Sequence, residues 1–292
     1  MDPSQIKPFL PASSKPSRAA IFLSGSGSNA ERILDRVKAH ADAPLEVVVL
    51  VTDRPERSRA REIAAAYDLP VVANDIREFY QDRGCKRVSI ATPEGRALRE
   101  QWTDALRRQL SLHDIDFGIF AGFVPLTNLT GDFPCLNVHP GDLTYLKDGE
   151  RYLVGLHTVP IERAILDGLD HLRTSVIIAE PYGNSSDMDS GPILGLSPAV
   201  PIDLQGRPLA ELTAIAARRP EKRPPGGYKD ELESIAAANQ DLLKEGGDWV
   251  VFPPAVLEFA SNRFGTLNDQ LCYQGQPVQT VEYDADSATP RV

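Results

Sequence analysis

The sequence predicts an α/β fold, a Rossmann-like open and mostly parallel sheet with helices on both faces, and three observations support this prediction. Short apolar runs alternate with amphipathic segments along most of the chain. The apolar runs are nearly continuous, as in strands that are buried on both faces of a parallel sheet. A turn rich in glycine and serine, residues 24–28, joins the first apolar run to the first helical segment, which is the order of a βα unit.

Composition favours a globular protein and argues against several other classes. The chain has 292 residues, which is the length of one large domain or two small ones. Its formal net charge is −10, and 42% of its residues are hydrophobic. The acidic balance argues against nucleic-acid binding, because phosphate backbones are bound by clustered Lys and Arg. The sequence shows no apolar run of membrane-spanning length and no signal peptide. Three widely spaced cysteines argue against a disulfide scaffold, so a cytoplasmic location is expected.

The elements predicted from apolar periodicity extend over most of the chain. Residues 1–17 are rich in Pro and Ser and are expected to form a flexible arm, while the polar tail beyond about residue 275 is expected to fray. Residues 74–91 and the connection 203–228 are predicted to be irregular. In chain order, the predicted elements are strand 19–23, helix 29–40, strand 45–52, helix 58–67, strand 70–73, helix 93–112, strands 117–121 and 135–138, helix 157–167, strand 174–180, a last strand 192–200, and helices 228–245 and 256–262.

Two of these helices carry clear start signals. Ser28 or Asn29 is predicted to cap the first helix, and Thr92, followed by Pro93, the long one. Four residues at helical spacing predict the buried face of the long helix: Leu98, Trp102, Leu106 and Leu110.

The loop Gly25-Ser-Gly-Ser-Asn-Ala30 has the features of an anion site, because its backbone N–H groups and the following helix N-terminus can face one ligand. The structural alternative is a tight turn without a ligand. Its spacing also fits a dinucleotide-binding pattern, with Asp53 closing the second strand. The many hydroxyl and amide donors of residues 24–29 instead suit a terminal monophosphate. The loop alone leaves these alternatives open.

Polar residues near the ends of two later strands form a candidate catalytic set. Asn137 and His139 take alternate positions of a short strand, so their side chains share a face. Asn can donate a hydrogen bond to a developing oxyanion, and His can relay a proton near neutral pH. Asp189 would orient His139 if its turn folds back toward that strand. The alternatives are a structural His bonded to a nearby carbonyl and an Asp that only forms a turn.

Six short motifs then occur in the order and rough spacing of one enzyme family: Ser24-Gly-Ser-Gly-Ser-Asn29, Ala121-Gly-Phe-Val124, Leu136-Asn-Val-His-Pro140, Gly155-Leu-His-Thr158, Thr174-Ser-Val176 and Asp189-Ser-Gly-Pro-Ile193. From about residue 18 to 200, and more weakly to about 264, the chain resembles the folate-dependent glycinamide ribonucleotide formyltransferases of the formyltransferase superfamily. The resemblance implies one domain over 18–264, with insertions near 141–154 and 203–228 and a C-terminal extension 265–292.

The resemblance implies transfer of a formyl group from 10-formyltetrahydrofolate, the formyl-donor cosubstrate, to the amine of glycinamide ribonucleotide, a step of purine biosynthesis. It implies a catalytic set of Asn137, His139 and Asp189, without a metal. The positions that match the phosphate loop of the family are Gly27, Ser28 and Asn29. The positions that match folate-binding ones are Arg99, Val124, Pro125, Leu126, Thr127, Asn137, Ser185, Ser186, Asp187 and Met188. The positions that match the acceptor side are His157, Glu245 and Asp248.

Departures from the family pattern concern mainly the acceptor side. Gly141 stands where a serine usually follows Asn-x-His-Pro, the next segment is several residues longer, and Pro125 replaces a common arginine. The alternatives are formyl transfer to another amine, such as an amino sugar, formyltetrahydrofolate hydrolysis, an NAD-binding oxidoreductase, or a non-catalytic binding protein. The expected partners are small-molecule substrates, without nucleic acid or membrane, and the expected state is a monomer or homodimer.

Overall fold

The structure, a computed structural model, describes residues 5–183, 189–284 and 290–291. The strands in this part of the chain are β1 (Lys7–Pro8), β2 (Ser17–Phe22), β3 (Leu45–Thr52), β4 (Val71–Ala73), β5 (Phe117–Phe120), β6 (Cys135–His139), β7 (Leu146–Lys147), β8 (Glu150–Arg151), β9 (His171–Leu172), β10 (Ser175–Ala179), β11 (Ile193–Leu196), β12 (Val200–Pro201), β13 (Phe264–Leu267), β14 (Gln270–Tyr273), β15 (Gln276–Pro277) and β16 (Val281–Glu282). The helices are α1 (Ser28–Lys38), α2 (Ala60–Tyr67), α3 (Ile76–Gln81), α4 (Pro93–Leu110), α5 (Val159–Leu166), α6 (Leu209–Ala217), α7 (Glu231–Leu243) and α8 (Trp249–Ala260). A 3₁₀ turn spans Asn128–Gly131 and a π-helical turn spans Lys244–Asp248.

The central sheet has the strand order β16-β11-β10-β6-β5-β2-β3-β4 within the described residues. The pairs β2/β3, β3/β4, β2/β5, β5/β6 and β11/β16 are parallel. The chain runs outward from β2 through β3 to β4 and then returns to place β5 and β6 on the other side of β2. The carboxyl ends of β2 and β5 therefore flank a topological switch point, where open α/β sheets bind their ligands. The predicted fold class is confirmed.

The chain divides into two compact units. The first comprises Met1–Val138, Ile177–Pro192 and Phe252–Gln279, and the second comprises His139–Val176, Ile193–Val251 and Thr280–Val292. No helix in the described ranges has the combined length and apolar character needed to cross a bilayer.

The core of the first unit includes the apolar face of α4 that the sequence predicts. Trp102 and Leu106 have no exposed surface and Leu110 is 4% exposed. The Trp102 indole stacks on Phe123 with 6.2 Å between ring centroids, and its Nε1–H donates to the carbonyl of Asn74 at 3.2 Å. A buried indole thus keeps its polar atom satisfied.

The second unit has a helical core of α5, α6 and α7, whose buried members include Ile161, Leu212 and Ile235. An ion network ties the same helices together. Arg219, just beyond α6, donates to Glu162 on α5 and makes two bonds of 2.7 Å to Asp230, which caps α7. The second predicted insertion therefore contributes both apolar and charged contacts to this core.

Residues 146–151, within the first predicted insertion, form a β-hairpin. Strands β7 and β8 pair antiparallel around Asp148 and Gly149, whose φ angles are +53° and +84°. Two central residues with positive φ are typical of a tight type I′ hairpin turn, and Asp-Gly is one of its preferred sequences.

Most predicted elements of the first unit match the structure within a few residues. Thr92 caps α4, since its hydroxyl accepts from the N–H of Gly95 at 3.1 Å, with Pro93 in the first turn. The predicted N-cap of α1 is wrong, because Gly27 occupies that position in the left-handed conformation and Ser28 is already helical. Residues 74–91 are not wholly irregular. They contain α3, which is capped by the side chain of Asp75 accepting from two backbone N–H groups.

Further differences concern the second half of the chain. The segment 203–228 contains α6, and α8 begins at Trp249 rather than near residue 256. The strand at 193–196 is not the last, because β13, β14 and β15 form a small antiparallel sheet with β1, and β16 pairs with β11. Paired strands thus occur within the predicted arm 1–17 and the predicted frayed tail.

Candidate active site

Ser24 organises the switch point of the first unit. Its hydroxyl donates to Asp53 Oδ1 at 2.5 Å and accepts from the N–H of Val124 at 3.0 Å. Its own N–H donates to the carbonyl of Gly122 at 3.2 Å. One serine after β2 therefore links the end of β3 to the segment after β5. The sequence predicts Ser24 only as one of several loop donors.

The glycine loop has the geometry of an anion site at a helix N-terminus. Gly27 has φ +71°, and a Cβ added there would lie 2.4 Å from Ile63 Cδ1, so only glycine fits without rearrangement. Ser28 and Asn29 form the first turn of α1 and are half-buried. Arg59 supports the loop from outside, because its N–H and Nη1 donate to the carbonyls of Gly25 and Ser26 at 3.1 and 3.2 Å. The first-turn N–H groups and helix dipole favour a bound anion.

Asp53 is a buried carboxyl group that directly follows β3. It has no exposed surface, and Arg54 Nε lies 3.5 Å from its Oδ2. Burial raises the pKa of Asp53, an effect that the hydrogen bond from Ser24 partly opposes. A carboxyl group enclosed in this way is not presented to the ribose of a dinucleotide, which is the role that the glycine spacing suggested.

Asn137 and His139 lie at the end of β6, as predicted. Asn137 is half-buried and His139 is 3% exposed. His139 Nε2 lies 2.7 Å from the backbone carbonyl oxygen of Leu153. A carbonyl oxygen can only accept a hydrogen bond, so Nε2 is the donor.

The backbone on both sides of this Leu153 carbonyl is held by Arg163. Arg163 Nη1 donates to the carbonyls of Tyr152 and Val154 at 2.8 and 3.0 Å. Arg163 belongs to α5, and Leu153 follows the hairpin β7–β8. The sequence predicts neither residue as part of the site. Leu153 contributes a backbone carbonyl, which every residue type has, and Arg163 bonds backbone carbonyls only through the tertiary structure.

Asp189 belongs to the first unit and is 8% exposed, with φ +62°. Aspartate is among the residues that tolerate this left-handed conformation, which suits a turn. The meeting of Asp189 with His139 stays a prediction. The predicted folate contacts Ser185, Ser186, Asp187 and Met188 lie outside the described residues.

Arg99 supports residues 124–127, the predicted folate-binding segment, through a hydrogen bond to its backbone. Its side chain is 5% exposed, and its Nη1 donates to the carbonyl of Leu126 at 2.7 Å. Val124, Pro125 and Leu126 are half-buried, and Thr127 is buried. The binding of folate by these residues stays a prediction.

In the first unit, a polar cluster of Glu100, Asn128 and Tyr182 joins α4, the 3₁₀ turn and the segment after β10. Tyr182 donates its hydroxyl to Glu100 at 2.9 Å, and its N–H donates to Asn128 Oδ1 at 3.0 Å. Asn128 Nδ2 also donates to Glu100 at 3.1 Å. Burial and the carboxylate of Glu100 raise the pKa of Tyr182, so the phenol remains a donor. The sequence did not predict this cluster, and Tyr182 precedes Asp189 by seven positions along the chain.

The predicted acceptor residues of the second unit lie in or near unusual backbone. Glu245 is exposed and Asp248 half-buried, both in the π-helical turn between α7 and α8. Such turns are frequent at functional sites. Thr174 donates its hydroxyl to Asp248 Oδ1 at 2.7 Å, which orients that carboxylate. His157 is exposed, with φ +57°, two residues before α5.

Metal ligands are not assembled in the described part of the chain. Within residues 5–183, 189–284 and 290–291, no group of three or more His, Cys, Asp or Glu side chains could hold a metal ion.

Comparison with solved structures shows which proteins share this fold. A phosphoribosylglycinamide formyltransferase from Coxiella burnetii is 17% identical, with 90% of this chain and 96% of that chain covered and a TM-score of 0.58. Glycinamide ribonucleotide transformylase 1 from Symbiobacterium toebii is 20% identical, with 89% and 95% covered and a TM-score of 0.56. A formyltetrahydrofolate deformylase from Burkholderia mallei is 14% identical, with 88% and 70% covered and a TM-score of 0.50. No family model matches the chain.

These likenesses define the class of protein: the chain has the formyltransferase fold. Most of the similar solved structures are phosphoribosylglycinamide formyltransferases, the family that the sequence motifs resemble. The resemblance is thereby confirmed at the level of the fold.

Proposed function

We propose that this protein transfers a formyl group from 10-formyltetrahydrofolate to the amine of glycinamide ribonucleotide. The observation that carries the proposal is the position of Asn137 and His139, adjacent to the switch-point strands of a formyltransferase fold. Asp189 completes the proposed catalytic set. The substrates are small molecules, and a cytoplasmic enzyme of purine biosynthesis follows from the same proposal.

In the proposed reaction the acceptor amine attacks the formyl carbon of the folate. The carbonyl π electrons move to oxygen, and a tetrahedral intermediate forms. Asn137 donates a hydrogen bond to that oxygen, an effect worth about 3 kcal/mol per donor in comparable sites. The bond from the formyl carbon to the folate nitrogen then breaks, and the proton lost by the amine reaches that nitrogen through His139. Asp189 stabilises the charged imidazole. No covalent enzyme intermediate is needed.

The glycine loop supports a phosphorylated acceptor. Ser28 and Asn29 start α1 at the switch point, and the positive end of the helix favours a phosphate there. The buried Asp53 argues against the NAD-binding alternative, because no accessible carboxylate follows β3 at that position. Glu245 and Asp248 are proposed to contact the amine-bearing part of the acceptor, and the segment 124–127 to contact the folate.

The proposal is tested by a coupled assay with 10-formyltetrahydrofolate and glycinamide ribonucleotide, run beside a panel of other amines. We expect formylation of the ribonucleotide with the highest kcat/KM of the panel. The double variant Ser28→Ala with Asn29→Ala should raise the KM for the phosphorylated acceptor far more than the KM for folate. Equal effects on both KM values would reject the assignment of the glycine loop as the phosphate site. If another amine of the panel has a higher kcat/KM than glycinamide ribonucleotide, that amine takes its place as the proposed acceptor.

Formyltetrahydrofolate hydrolysis is the second candidate, because a formyltetrahydrofolate deformylase shares the fold. Water would then replace the amine as the nucleophile, and formate would be released. The same assay without any amine distinguishes the two reactions. Formate production at the full rate without an acceptor would favour hydrolysis over transfer.

A further inference from the structure

We propose that Arg163 is a positioning residue for His139: by bonding the carbonyls of Tyr152 and Val154 it restrains the Leu153 carbonyl between them, and this fixes which ring nitrogen of His139 carries the proton. The inference deepens the proposed function and rests on the catalytic role of His139 given there. Six residues of the second unit carry the argument: His139, Gly141, Tyr152, Leu153, Val154 and Arg163.

The first step is the tautomer of the ring. His139 Nε2 and the carbonyl oxygen of Leu153 are 2.7 Å apart in a buried environment. Since the carbonyl has lone pairs but no proton, Nε2 carries the proton in the neutral ring. The nitrogen of the neutral ring that can accept a proton is therefore Nδ1, and the proton relay of the proposed reaction runs through it.

The second step is the orientation of the carbonyl. A single guanidinium nitrogen, Arg163 Nη1, bonds the carbonyls of Tyr152 and Val154, the residues on either side of Leu153. The guanidinium also lies 5.5 Å from the centroid of the Tyr152 ring. These bonds fix the 152–153 and 154–155 peptide groups, and the 153–154 peptide group that carries the Leu153 carbonyl lies between them, so its rotation is restricted. Arg163 thus restrains the acceptor without contacting the imidazole.

The third step is the role of Gly141, which leaves room for the contact between His139 and the carbonyl of Leu153. A Cβ added to Gly141 would lie 2.5 Å from the oxygen of Leu153 and 3.0 Å from Nε2 of His139. A side chain at position 141 would therefore occupy the space of this contact, and the carbonyl or the ring would have to move. The glycine at this position and the longer segment after it are two departures from the family pattern, and the structure joins them in one contact. The hairpin β7–β8 leads the chain to Leu153, and Gly141 leaves room for its carbonyl.

The expected kinetic consequence is a loss of turnover without a loss of binding. Arg163 contacts Tyr152 and Val154, and neither residue is among those proposed to bind folate or phosphate. Without it, the Leu153 carbonyl can turn away, and part of the population places the proton on Nδ1, where it blocks proton acceptance. A wrong histidine tautomer is costly in enzymes that depend on one nitrogen as the base. We expect Arg163→Met to lower kcat about 10- to 100-fold and to leave both KM values within about twofold.

The test uses long-range ¹H–¹⁵N spectra of the histidine rings together with steady-state kinetics on the full-length protein. The His139 signals are assigned by their loss in His139→Gln, since the chain has five histidines. In the wild type we expect the Nε2–H tautomer for the neutral ring. Arg163→Met should give a mixture of tautomers, and Arg163→Lys, which restores one cationic donor, should recover part of both kcat and the Nε2–H population. Gly141→Ala should give the same mixture with Arg163 intact.

Arg218→Met is the matched control, because Arg218 is an exposed arginine of the same unit whose Nε donates to the carbonyl of Ala214 in the adjacent helix α6. It should change neither the spectra nor kcat. An Nδ1–H tautomer in the wild type would overturn the proposal by itself, whether or not any variant folds. So would an unchanged tautomer and kcat in a folded Arg163→Met protein. Failure of the wild type to formylate any amine would reject the proposed function and leave the tautomer result to stand separately.

Discussion

Replacement of Arg219 by methionine tests whether charged contacts, and not only apolar ones, hold the helices of the second unit together. Arg219 is 11% exposed and bonds two carboxylates on two different helices, Glu162 on α5 and Asp230 at the start of α7. Its guanidinium also lies 4.0 Å from the centroid of the Tyr228 ring. Methionine keeps an apolar stem of similar length and removes the charge and all of these hydrogen bonds.

The expected decrease in the free energy of unfolding follows from the burial of the two carboxylates. Removing one partner of a buried ion pair costs about 3–5 kcal/mol, because a desolvated charge is left without compensation. We expect the lower end, about 3 kcal/mol. Asp230 is 23% exposed and can recover some hydration, and Glu162 keeps Arg223 at 3.5 Å and the Thr158 hydroxyl at 2.6 Å.

The same pair predicts how this cost depends on pH. The hydrogen bond from Arg219 lowers the pKa of Asp230 below its usual 3.8. A lowered carboxyl pKa contributes stability that is present above the unfolded value and is lost as pH falls through the folded value. The difference between wild type and variant should therefore be largest above 3.8 and shrink on acidification.

Urea unfolding followed by circular dichroism, at neutral pH and below the usual carboxyl pKa, measures both quantities. The neighbouring exposed residue gives the control, and Arg218→Met should change the unfolding free energy by less than about 0.5 kcal/mol. A loss below about 1 kcal/mol for Arg219→Met at neutral pH would place the pair among weak surface contacts and refute the reasoning. A deficit that stays constant on acidification would refute the assigned role of Asp230.

Three further predictions address the candidate site. His139→Ala and Asp189→Asn should each lower kcat by at least about 100-fold with unchanged circular dichroism, and near-normal turnover in either would reject its role. Thr174→Val removes the bond to Asp248 and should raise the KM for the acceptor but not for folate; equal changes would remove Asp248 from the acceptor site. Because burial raises the pKa of Asp53, the stability it contributes is present below 3.8 and is lost as pH rises through the folded value. Asp53→Asn should therefore become more stable relative to wild type with rising pH, as measured by Tm; parallel profiles would contradict this.

Local sequence signals predict the order of strands and helices, because strands that are buried on both faces of a sheet require apolar residues at nearly every position. The face of α4 is an example, since Trp102 and Leu106 are fully buried as their spacing predicts. Two missed elements carried usable signals. Asp75 followed by Glu78 is typical of a helix start and precedes α3, and Asp148-Gly149 is a strong hairpin signal.

The strand carrying Asn137 and His139 could be predicted from residue type and alternation. The contacts that orient them could not. Leu153 acts through its carbonyl, which every residue has, and it lies 14 positions from His139 along the chain. Arg163 looks like an ordinary helix charge in the sequence. The orientation of a site by backbone groups depends on tertiary structure, so no local pattern reports it.

The strand β16 has a consequence for work with shortened versions of this protein. Val281 and Glu282 pair in parallel with Gly195 and Leu196, and Tyr283 packs close to Gly195, where an added Cβ would lie 2.8 Å from its ring. Cutting the chain before residue 281 would uncover the backbone donors and acceptors of β11. An uncovered edge of this kind recruits strands from other molecules, so such a shortened protein should self-associate even if its catalytic residues are intact.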